Sequence, residues 1–318
     1  LSMALNARGI PAVSFTGSQS GIITDSAHTN ARIVEVRPHR VEAEIARGRV
    51  VIVAGYQGVS EEKEVTTLGR GGSDTTAVAL AAALGAEACE IYSDVEGVYS
   101  ADPRRVPGAR ALPEVSYEEM QELAEAGARV LNAQAVEFAK ERGIAIKARS
   151  AHGGPGETVV KAHPPRGTAR VVGVTSQRDL CLLELPGAQG TDVASLLALL
   201  ETRGIPGRQV LVAPGARYAS LVLPLENLHD FSALRAELSS RLGSRVQITE
   251  GVAAVSAIGA GITASLGTLR LALETLGERG ILGVSTSSFR ISVLLEASRV
   301  DDAVQRLHEA LLEGPSVP

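Results

Sequence analysis

Short apolar runs alternate with helix-periodic stretches along the first half of the chain. Four runs have the length and the Ala, Val and Ile content of buried strands, at 12–15, 50–54, 88–93 and 145–148. Helical periodicity predicts helices at 73–84, 117–126 and 132–142. Strands alternating with helices are typical of an α/β protein whose mainly parallel sheet is covered by helices.

The second half repeats one pattern twice: two strands, a helix, two strands and a helix. The sequence Leu-Glu-Thr-Arg-Gly-Ile ending at Ile205 is echoed by Gly-Glu-Arg-Gly-Ile ending at Ile281. The predicted order is a circular shift of the βαββαβ ferredoxin-like unit. Each copy then needs a strand from the start of its neighbour, so we expect two interlocked units. The predicted strands lie at 171–176, 180–185, 209–212, 219–223, 246–249, 252–258, 282–286 and 291–296, and the helices at 192–203, 230–242, 269–279 and 301–312.

A stretch rich in Pro and Gly separates the two halves at 150–166. We therefore predict one domain at 1–160 and a duplicated second domain at 168–318, with repeats at about 168–243 and 244–318. The length of 318 residues suits two domains of ordinary size.

Composition excludes several classes of protein. The chain is 45% hydrophobic and 21% charged with a net charge of -5, as expected of a globular protein. Its 31 Lys and Arg against 36 Asp and Glu leave no basic surplus for nucleic acid. Apolar stretches such as 77–86 are far shorter than the roughly 20 residues of a membrane span. Two cysteines are too few for a disulfide framework, so we expect a cytoplasmic protein, and no histidines lie at metal-ligand spacing.

The strongest local motif is a glycine-rich turn, at 66–77, that runs into the N-terminus of an apolar helix. Unpaired backbone N–H groups gather at such a terminus, and glycine lets a ligand approach them. Arg70 adds a planar guanidinium suited to a carboxylate or phosphate. The alternative is a tight turn followed by a helix capped by Ser73 or Asp74.

A second motif, at 93–104, follows the strand predicted at 88–93. Polar residues at the carboxyl end of a parallel strand lie where α/β sheets bind ligands. Asp94 could orient a ribose or a metal-phosphate group, Tyr99 could face a purine ring, and Arg104 could meet phosphate oxygens. The alternative is a solvated turn closed by Asp102-Pro103.

These motifs together resemble those of aspartate kinases, in order and in spacing. The resemblance rests on Gly55-Tyr56-Gln57-Gly58, Thr-Leu-Gly-Arg-Gly-Gly-Ser-Asp and the run from Tyr92 to Arg104, with Ser14 to Gln19 and Thr24 to His28 in support, and it covers nearly the whole chain. It implies a three-layer amino-acid-kinase sandwich followed by two interlocked ACT domains. It also implies ATP-dependent phosphorylation of the L-aspartate β-carboxylate to 4-phospho-L-aspartate. That reaction is the first step toward lysine, threonine and methionine.

The resemblance assigns site residues by position. Arg70 would hold the aspartate carboxylate, with Ser73, Asp74 and Tyr56 in the same pocket, and Arg70 and Asp74 would be the catalytic pair. Mg²⁺ would bridge the phosphate oxygens of ATP, with no metal site built by the protein alone. The nucleotide would lie among Ser93, Asp94, Tyr99, Arg104 and Arg129.

Three departures from the family pattern affect these expectations. Arg129 stands where the family has a lysine that meets the nucleotide, and Asn132 follows where histidine is usual. The phosphate-gripping lysine loop that opens family chains is absent from this sequence, so we expect the chain to have little activity alone. The usual prolines of the ACT effector loops are also missing. Weaker effector candidates are Gln189, Asp192, Ser265, Ser285 and Thr286.

The partners implied are L-aspartate, ATP and an amino-acid effector, lysine and/or threonine. Pairing through ACT domains implies a homodimer or a higher oligomer. Two other functions stay open at this stage. One is a non-catalytic ACT amino-acid sensor or partner subunit with a vestigial kinase half. The other is a different amino-acid kinase, which the duplicated half and the Gly-Arg-Gly-Gly-Ser-Asp run disfavour.

Overall fold

The computed structural model describes residues 1–69, 71–154, 156–162, 171–226, 228 and 230–314. Arg70, the end of the predicted linker and the first residues of the predicted second domain, at 163–170, therefore lie outside the described residues. The chain divides into two compact units. Unit 1 comprises Leu1–Ser100 and Ala109–Thr168, and unit 2 comprises Ala101–Gly108 and Ala169–Pro318.

Unit 1 is built of helices and strands, as the hydrophobic pattern predicts, but runs of two or three strands separate most of the helices and the predicted alternation holds only in part. Its described helices are α1 (Ser2–Ala7), α2 (His39–Ala46), α3 (Gly72–Ala83), α4 (Tyr117–Glu125) and α5 (Ala133–Arg142). Its described strands are β1 (Ala12–Phe15), β2 (Ile22–Thr24), β3 (Ile33–Val36), β4 (Val50–Val53), β5 (Gln57–Ser60), β6 (Val65–Thr67), β7 (Ala88–Ser93), β8 (Glu114–Ser116), β9 (Ala145–Ser150) and β10 (Glu157–Lys161).

The strands of unit 1 form parallel pairs extended by hairpins. β1 pairs in parallel with β4, β2 with β5, β7 with β9, and β8 with β10. Antiparallel partners complete two four-stranded groups, in the orders β3-β2-β5-β6 and β7-β9-β10-β8. Strand β10 lies inside the stretch that the sequence marks as a boundary, because Pro and Gly flank a short alternating strand there.

Helices α3 and α5 pack against each other through small side chains. Val78 and Ala79 of α3 are buried, as are Val136 and Ala139 of α5. Small residues let two helix backbones approach closely, which brings the N-termini of both helices into one region. The candidate chemistry of the first motif lies there.

Unit 2 contains one six-stranded antiparallel sheet with helices from both repeats. Its order is β12-β13-β11-β14-β16-β15. The described strands are β11 (Gly173–Pro186), β12 (Arg208–Ala213), β13 (Tyr218–Pro224), β14 (Gln247–Ile258), β15 (Ile281–Thr286) and β16 (Arg290–Glu296), and the helices are α6 (Gly190–Thr202), α7 (Phe231–Leu242), α8 (Gly267–Leu276) and α9 (Val300–His308), the last extended by a π-helical segment, Glu309–Glu313.

The predicted interlocking of the two repeats is confirmed. The second part of β11 pairs with β13 and also with the start of β14, while the first part of β11 pairs with the end of β14. One prediction was wrong in detail. Each copy begins with one long strand and not with two, because irregularities between Gln177 and Leu182 shift the register of β11 without ending it.

The core of unit 2 is aliphatic. Leu183 and Leu185 of β11 and Leu223 of β13 are fully buried with Leu234 and Leu238 of α7. Each such side chain contributes about 1.5–3 kcal/mol when it is removed from water. The fully buried part of this core is therefore aliphatic, and Phe231 packs against it at the start of α7.

A segment from the middle of the chain completes unit 2. Residues Ala101–Gly108 belong to this unit, where Arg105 Nη1 lies 2.6 Å from Asp301 Oδ1 at the start of α9. Arg178 Nη2 donates to the same oxygen at 2.6 Å. A side chain on Gly108 would overlap the Glu313 carboxylate, which also contacts the buried His308 ring.

Among the described residues, no helix combines the length and the apolar character that a membrane-spanning segment needs.

Candidate functional site

The glycine-rich motif forms a turn that opens α3. Gly69 and Gly71 both have φ of 74°, a left-handed conformation that glycine adopts without a steric cost. Gly71 is the N-cap residue and has no side chain with which to accept a hydrogen bond from the first turn. The alternative of a helix capped by Ser73 or Asp74 was therefore wrong. The first turn is supported instead by Thr76 Oγ1, which donates to the Gly72 carbonyl at 2.7 Å.

Tyr56 lies directly against this turn. Its N–H donates to Thr76 Oγ1 at 3.2 Å, and its carbonyl accepts from the Leu68 N–H at 3.0 Å. A methyl group on Gly72 would lie 2.6 Å from Leu68 Cβ and 3.3 Å from Tyr56 Cδ2, so the glycine lies closely against both residues. Tyr56 thus lies beside the N-terminus of the helix that carries the exposed Ser73 and the half-buried Asp74, and a common substrate pocket for the three stays a prediction.

Asp74 is the half-buried carboxylate of this group. Burial raises the pKa of Asp74 above its usual value, and a hydrogen bond from the Asn132 N–H to Oδ2, at 3.3 Å, opposes that rise. The pKa of the Cys89 thiol is raised as well. Burial, with smaller contributions from the charges of Asp74 and Glu90, raises its pKa to about 11, so Cys89 is an unreactive neighbour.

The second motif forms a loop after β7. Ser93 ends the strand, and its hydroxyl accepts from the Val95 N–H at 3.3 Å. Asp94 is exposed, and Tyr99 forms an isolated antiparallel bridge with Ala111. The loop is therefore an ordered turn that leaves the Asp94 carboxylate open to a ligand.

Thr158 on β10 holds this loop in place through two hydrogen bonds of its hydroxyl. Its buried hydroxyl accepts from the Val98 N–H at 2.8 Å and donates to the Leu112 carbonyl at 2.7 Å. Sequence reasoning missed Thr158. The signal available was the polar–apolar alternation of Glu157 to Lys161, which was hidden by the flanking glycines.

Arg104 belongs to unit 2, and its guanidinium forms hydrogen bonds with the carboxylate of Asp102. Its Nε and Nη2 each lie 3.0 Å from one carboxylate oxygen of Asp102, and the hydrogen bond from Arg104 lowers the pKa of Asp102. Arg104 is 86% exposed. Arg129, the other cationic nucleotide candidate, is exposed between α4 and α5 in unit 1.

The effector candidates fall into two groups in unit 2. Gln189 is the N-cap residue of α6, where its N–H donates to Asp192 Oδ2 at 3.0 Å, and Arg245 Nη1 lies 2.5 Å from Asp192 Oδ1. Asp192 is therefore engaged in a buried helix-capping network.

The second group lies in the other repeat. Thr263, in the loop before α8, donates to the Ser287 carbonyl at 3.2 Å, just beyond the end of β15. Ser265 is exposed in the same loop, while Ser285 and Thr286 are the last residues of β15. These candidates thus share one loop-and-strand region, separate in sequence from Gln189 and Asp192.

Comparison with known proteins gives a consistent result. The model of the amino acid kinase family matches residues 1–149. An aspartokinase of Mycolicibacterium smegmatis is 40% identical over 328 residues, which cover 98% of this chain and 77% of the relative. One from Geobacillus stearothermophilus is also 40% identical, with the same coverage of both chains.

Solved structures agree with these relatives. The structure of E. coli aspartokinase III in complex with aspartate and ADP, in the R-state, matches with a TM-score of 0.79 at 26% identity, covering 98% of this chain and 72% of that one. The same enzyme in complex with lysine and aspartate, in the T-state, matches with a TM-score of 0.73 at 25% identity, covering 97% and 71%.

Proposed function

The chain belongs to the aspartokinase family, and we propose that it transfers the γ-phosphoryl group of ATP to the β-carboxylate of L-aspartate. A carboxylate oxygen forms the new bond to phosphorus, the bond to the bridging oxygen breaks, and ADP leaves. Aspartate reacts as an anion, so no base has to remove a proton. Positioning and charge neutralisation then supply the catalysis.

The observation that carries this proposal is the turn from Gly69 to Gly72 with Tyr56, Ser73 and Asp74 around it. Backbone N–H groups at a helix N-terminus favour anions. We assign Arg70 to the substrate carboxylate and Asp74 to the substrate ammonium. Burial raises the pKa of Asp74, and a cationic partner would offset the cost of burying its charged form.

The loop after β7 is the proposed nucleotide side of the site. We assign Ser93, Asp94 and Tyr99 to ATP, with Arg104 and Arg129 as the cationic candidates. Among the described residues, no group of three or more His, Cys, Asp or Glu side chains could hold a metal ion. Mg²⁺ binds through phosphate oxygens and one or two carboxylates. Asp94 is the carboxylate we assign to it.

Unit 2 is the proposed regulatory half. We propose that it binds an amino-acid effector, lysine and/or threonine, and that it pairs with a second copy of the chain. Support comes from its ACT-type fold and from the lysine in the T-state structure of E. coli aspartokinase III. Calorimetry of the chain with lysine, threonine and methionine tests the effector, and light scattering tests the pairing.

One assay tests the reaction directly. The chain is mixed with L-aspartate, ATP and Mg²⁺, ADP release is followed, and hydroxylamine traps the acyl phosphate as a hydroxamate. As already expected of the chain alone, turnover should be low, with hydroxamate in proportion to ADP with L-aspartate and none with L-glutamate. Neither product even at a high concentration of the chain, together with effector binding by unit 2, would favour a non-catalytic sensor.

The same mixture tests the substrate site. Arg70→Ala should weaken L-aspartate binding by calorimetry far more than ATP binding, because the charge-assisted hydrogen bonds to the carboxylate are lost. Arg70→Lys is the matched variant, which keeps the charge but loses the planar fork. Unchanged aspartate affinity in Arg70→Ala would remove Arg70 from the site.

A further inference from the structure

Two asparagines lie against the glycine turn, one on each side of position 70. A methyl group on Gly69 would lie 3.0 Å from Asn30 Cγ and would overlap Oδ1. A methyl group on Gly71 would lie 2.7 Å from both Cβ and Cγ of Asn132 and would overlap Nδ2. Each amide therefore contacts the backbone of one glycine.

Each asparagine is itself held by its own part of unit 1. Asn30 has φ of 56°, a left-handed conformation that asparagine tolerates. The loop that contains it is tied to β6 by the Ala31 N–H, which donates to the Thr67 carbonyl at 2.9 Å. The backbone that carries Asn30 is therefore held by β6.

Asn132 is fixed by α5. Its Oδ1 accepts from the N–H groups of Gln134, at 2.9 Å, and Ala135, at 3.2 Å, which makes it the N-cap residue of that helix. Its own N–H donates to Asp74 Oδ2 at 3.3 Å. One residue thus joins the N-terminus of α5 to the carboxylate and to the glycine turn of α3.

We propose that Asn30 and Asn132 are positioning residues that fix the Gly69–Gly71 turn from both sides and so set the geometry with which this turn receives the carboxylate of L-aspartate. The inference rests on the proposed function for the identity of the substrate. A turn with two glycines at positive φ has many accessible conformations and loses much entropy when ordered. Two amides in contact with it exclude neighbouring conformations before the substrate arrives, which is preorganisation.

The test uses variants that remove the side-chain amide of one asparagine and keep that residue's other structural role. Asn30→Gly keeps the left-handed backbone free of strain. Asn132→Ser keeps an N-cap oxygen for α5. Calorimetry on the full chain should show Kd for L-aspartate rising about 10-fold in each variant, since small misplacements of binding groups are costly. Kd for ATP should stay within about 2-fold, and so should the KM for ATP in the hydroxamate assay.

Two control variants change a left-handed residue and a helix N-cap that lie away from the glycine turn. Lys63→Gly changes another left-handed residue of unit 1, with φ of 71°, and Asp230→Ser changes the N-cap of α7, which accepts from the Ala233 N–H at 3.1 Å. Both controls should leave the aspartate Kd unchanged. If Asn132→Ser does not fold, Asn132→Asp takes its place, because aspartate caps helices as well as asparagine does. It should weaken aspartate binding further by adding a carboxylate beside Asp74.

Three results separate the outcomes. Selective loss of aspartate affinity in both asparagine variants supports positioning. Equal loss of aspartate and ATP affinity with a lower melting temperature would overturn it in favour of a purely structural role, and unchanged aspartate affinity would overturn it as well. Arg70→Ala distinguishes failure of this inference from failure of the proposed substrate site. If it weakens aspartate binding while the asparagine variants do not, this inference fails and the proposed site stands.

Discussion

The backbone N–H of Val98 donates a hydrogen bond to the hydroxyl of Thr158, 2.8 Å away. Thr158 is 1% exposed, and the same hydroxyl donates to the Leu112 carbonyl. A methyl group on Gly97 would lie 2.6 Å from this oxygen, so the loop passes directly over β10. One threonine therefore fixes the backbone between Asp94 and Tyr99, the proposed nucleotide residues.

We predict that Thr158→Val weakens ATP binding more than aspartate binding. Valine has the shape of threonine but leaves the Val98 N–H and the Leu112 carbonyl unpaired, at a cost of about 1–3 kcal/mol in unfolding free energy. Urea unfolding and calorimetry with ATP measure the two effects. Thr158→Ser retains the hydroxyl and should behave nearly as the wild type. An unaltered ATP Kd in Thr158→Val would show that the loop does not depend on this anchor.

We predict that Asp74→Asn raises the melting temperature at pH 7. Burial raises the folded-state pKa of Asp74, so its stabilising contribution is complete below the unfolded pKa, about 4, and is lost as pH rises through the folded pKa. The melting temperature of Asp74→Asn relative to that of the wild type should therefore increase as pH rises from about 4 to neutrality. Thermal unfolding between these limits measures the difference.

Asp102→Asn is the control with the opposite sign. The Arg104 hydrogen bond lowers the folded-state pKa of Asp102, so its contribution is present above the unfolded pKa and is lost as pH falls through the folded value. Asp102→Asn should therefore be less stable than the wild type at neutral pH and approach it in acid. A pH-independent difference for Asp74→Asn would contradict the assigned burial of its carboxyl.

We predict that Asp301→Asn destabilises unit 2 modestly at neutral pH. A hydrogen bond from Arg178, with the charge of Arg105 in support, lowers the pKa of Asp301. The side chain is 63% exposed, so the loss in unfolding free energy should be only about 0.5–1 kcal/mol. The loss should shrink in 1 M salt and as pH falls through the folded pKa of Asp301.

Asp302→Asn is the matched control for this cluster. Asp302 shares the first turn of α9, and hence the helix dipole, but its ion pair with Arg306 is longer, at 3.6 Å. Urea unfolding should show a smaller effect for Asp302→Asn. Equal effects of the two variants would attribute the stability to the dipole and not to Arg105 and Arg178.

We predict that Asp192→Ala lowers the unfolding free energy of unit 2 by about 1.5–3 kcal/mol without any effector present, because hydrogen bonds to a buried charge are lost. Asp192→Asn keeps an acceptor for the Gln189 N–H and should lose less. Ser265→Ala, at an exposed site of the other repeat where the hydroxyl accepts only a long hydrogen bond from the Gly267 N–H at 3.4 Å, should have a smaller effect than Asp192→Ala. Chemical unfolding without added amino acids measures these differences in unfolding free energy. If Asp192→Ala is as stable as the wild type, a role for Asp192 in effector binding alone becomes open again.

Much of the architecture follows from local pattern. The strand at 88–93 coincides with β7, and the Ala-rich periodicity at 73–84 coincides closely with α3. The pairing of repeats follows too, since each copy lacks one strand of a ferredoxin-like sheet. The single long strands β11 and β14 do not follow, because a bulge interrupts the alternation of side chains in the sequence while the backbone pairing continues through it.

By itself, then, the sequence determined which segments form buried strands and helices, the duplication, and the glycine turn before α3, because these depend on residues close together in the chain. Only the tertiary structure decided what surrounds that turn. Asn30 and Asn132 reach it from distant positions, and the Thr158 hydroxyl reaches the second loop across β10. Such contacts carry no local periodicity. They arise when packing of α3 on α5, and of β10 between β8 and β9, brings remote backbone together.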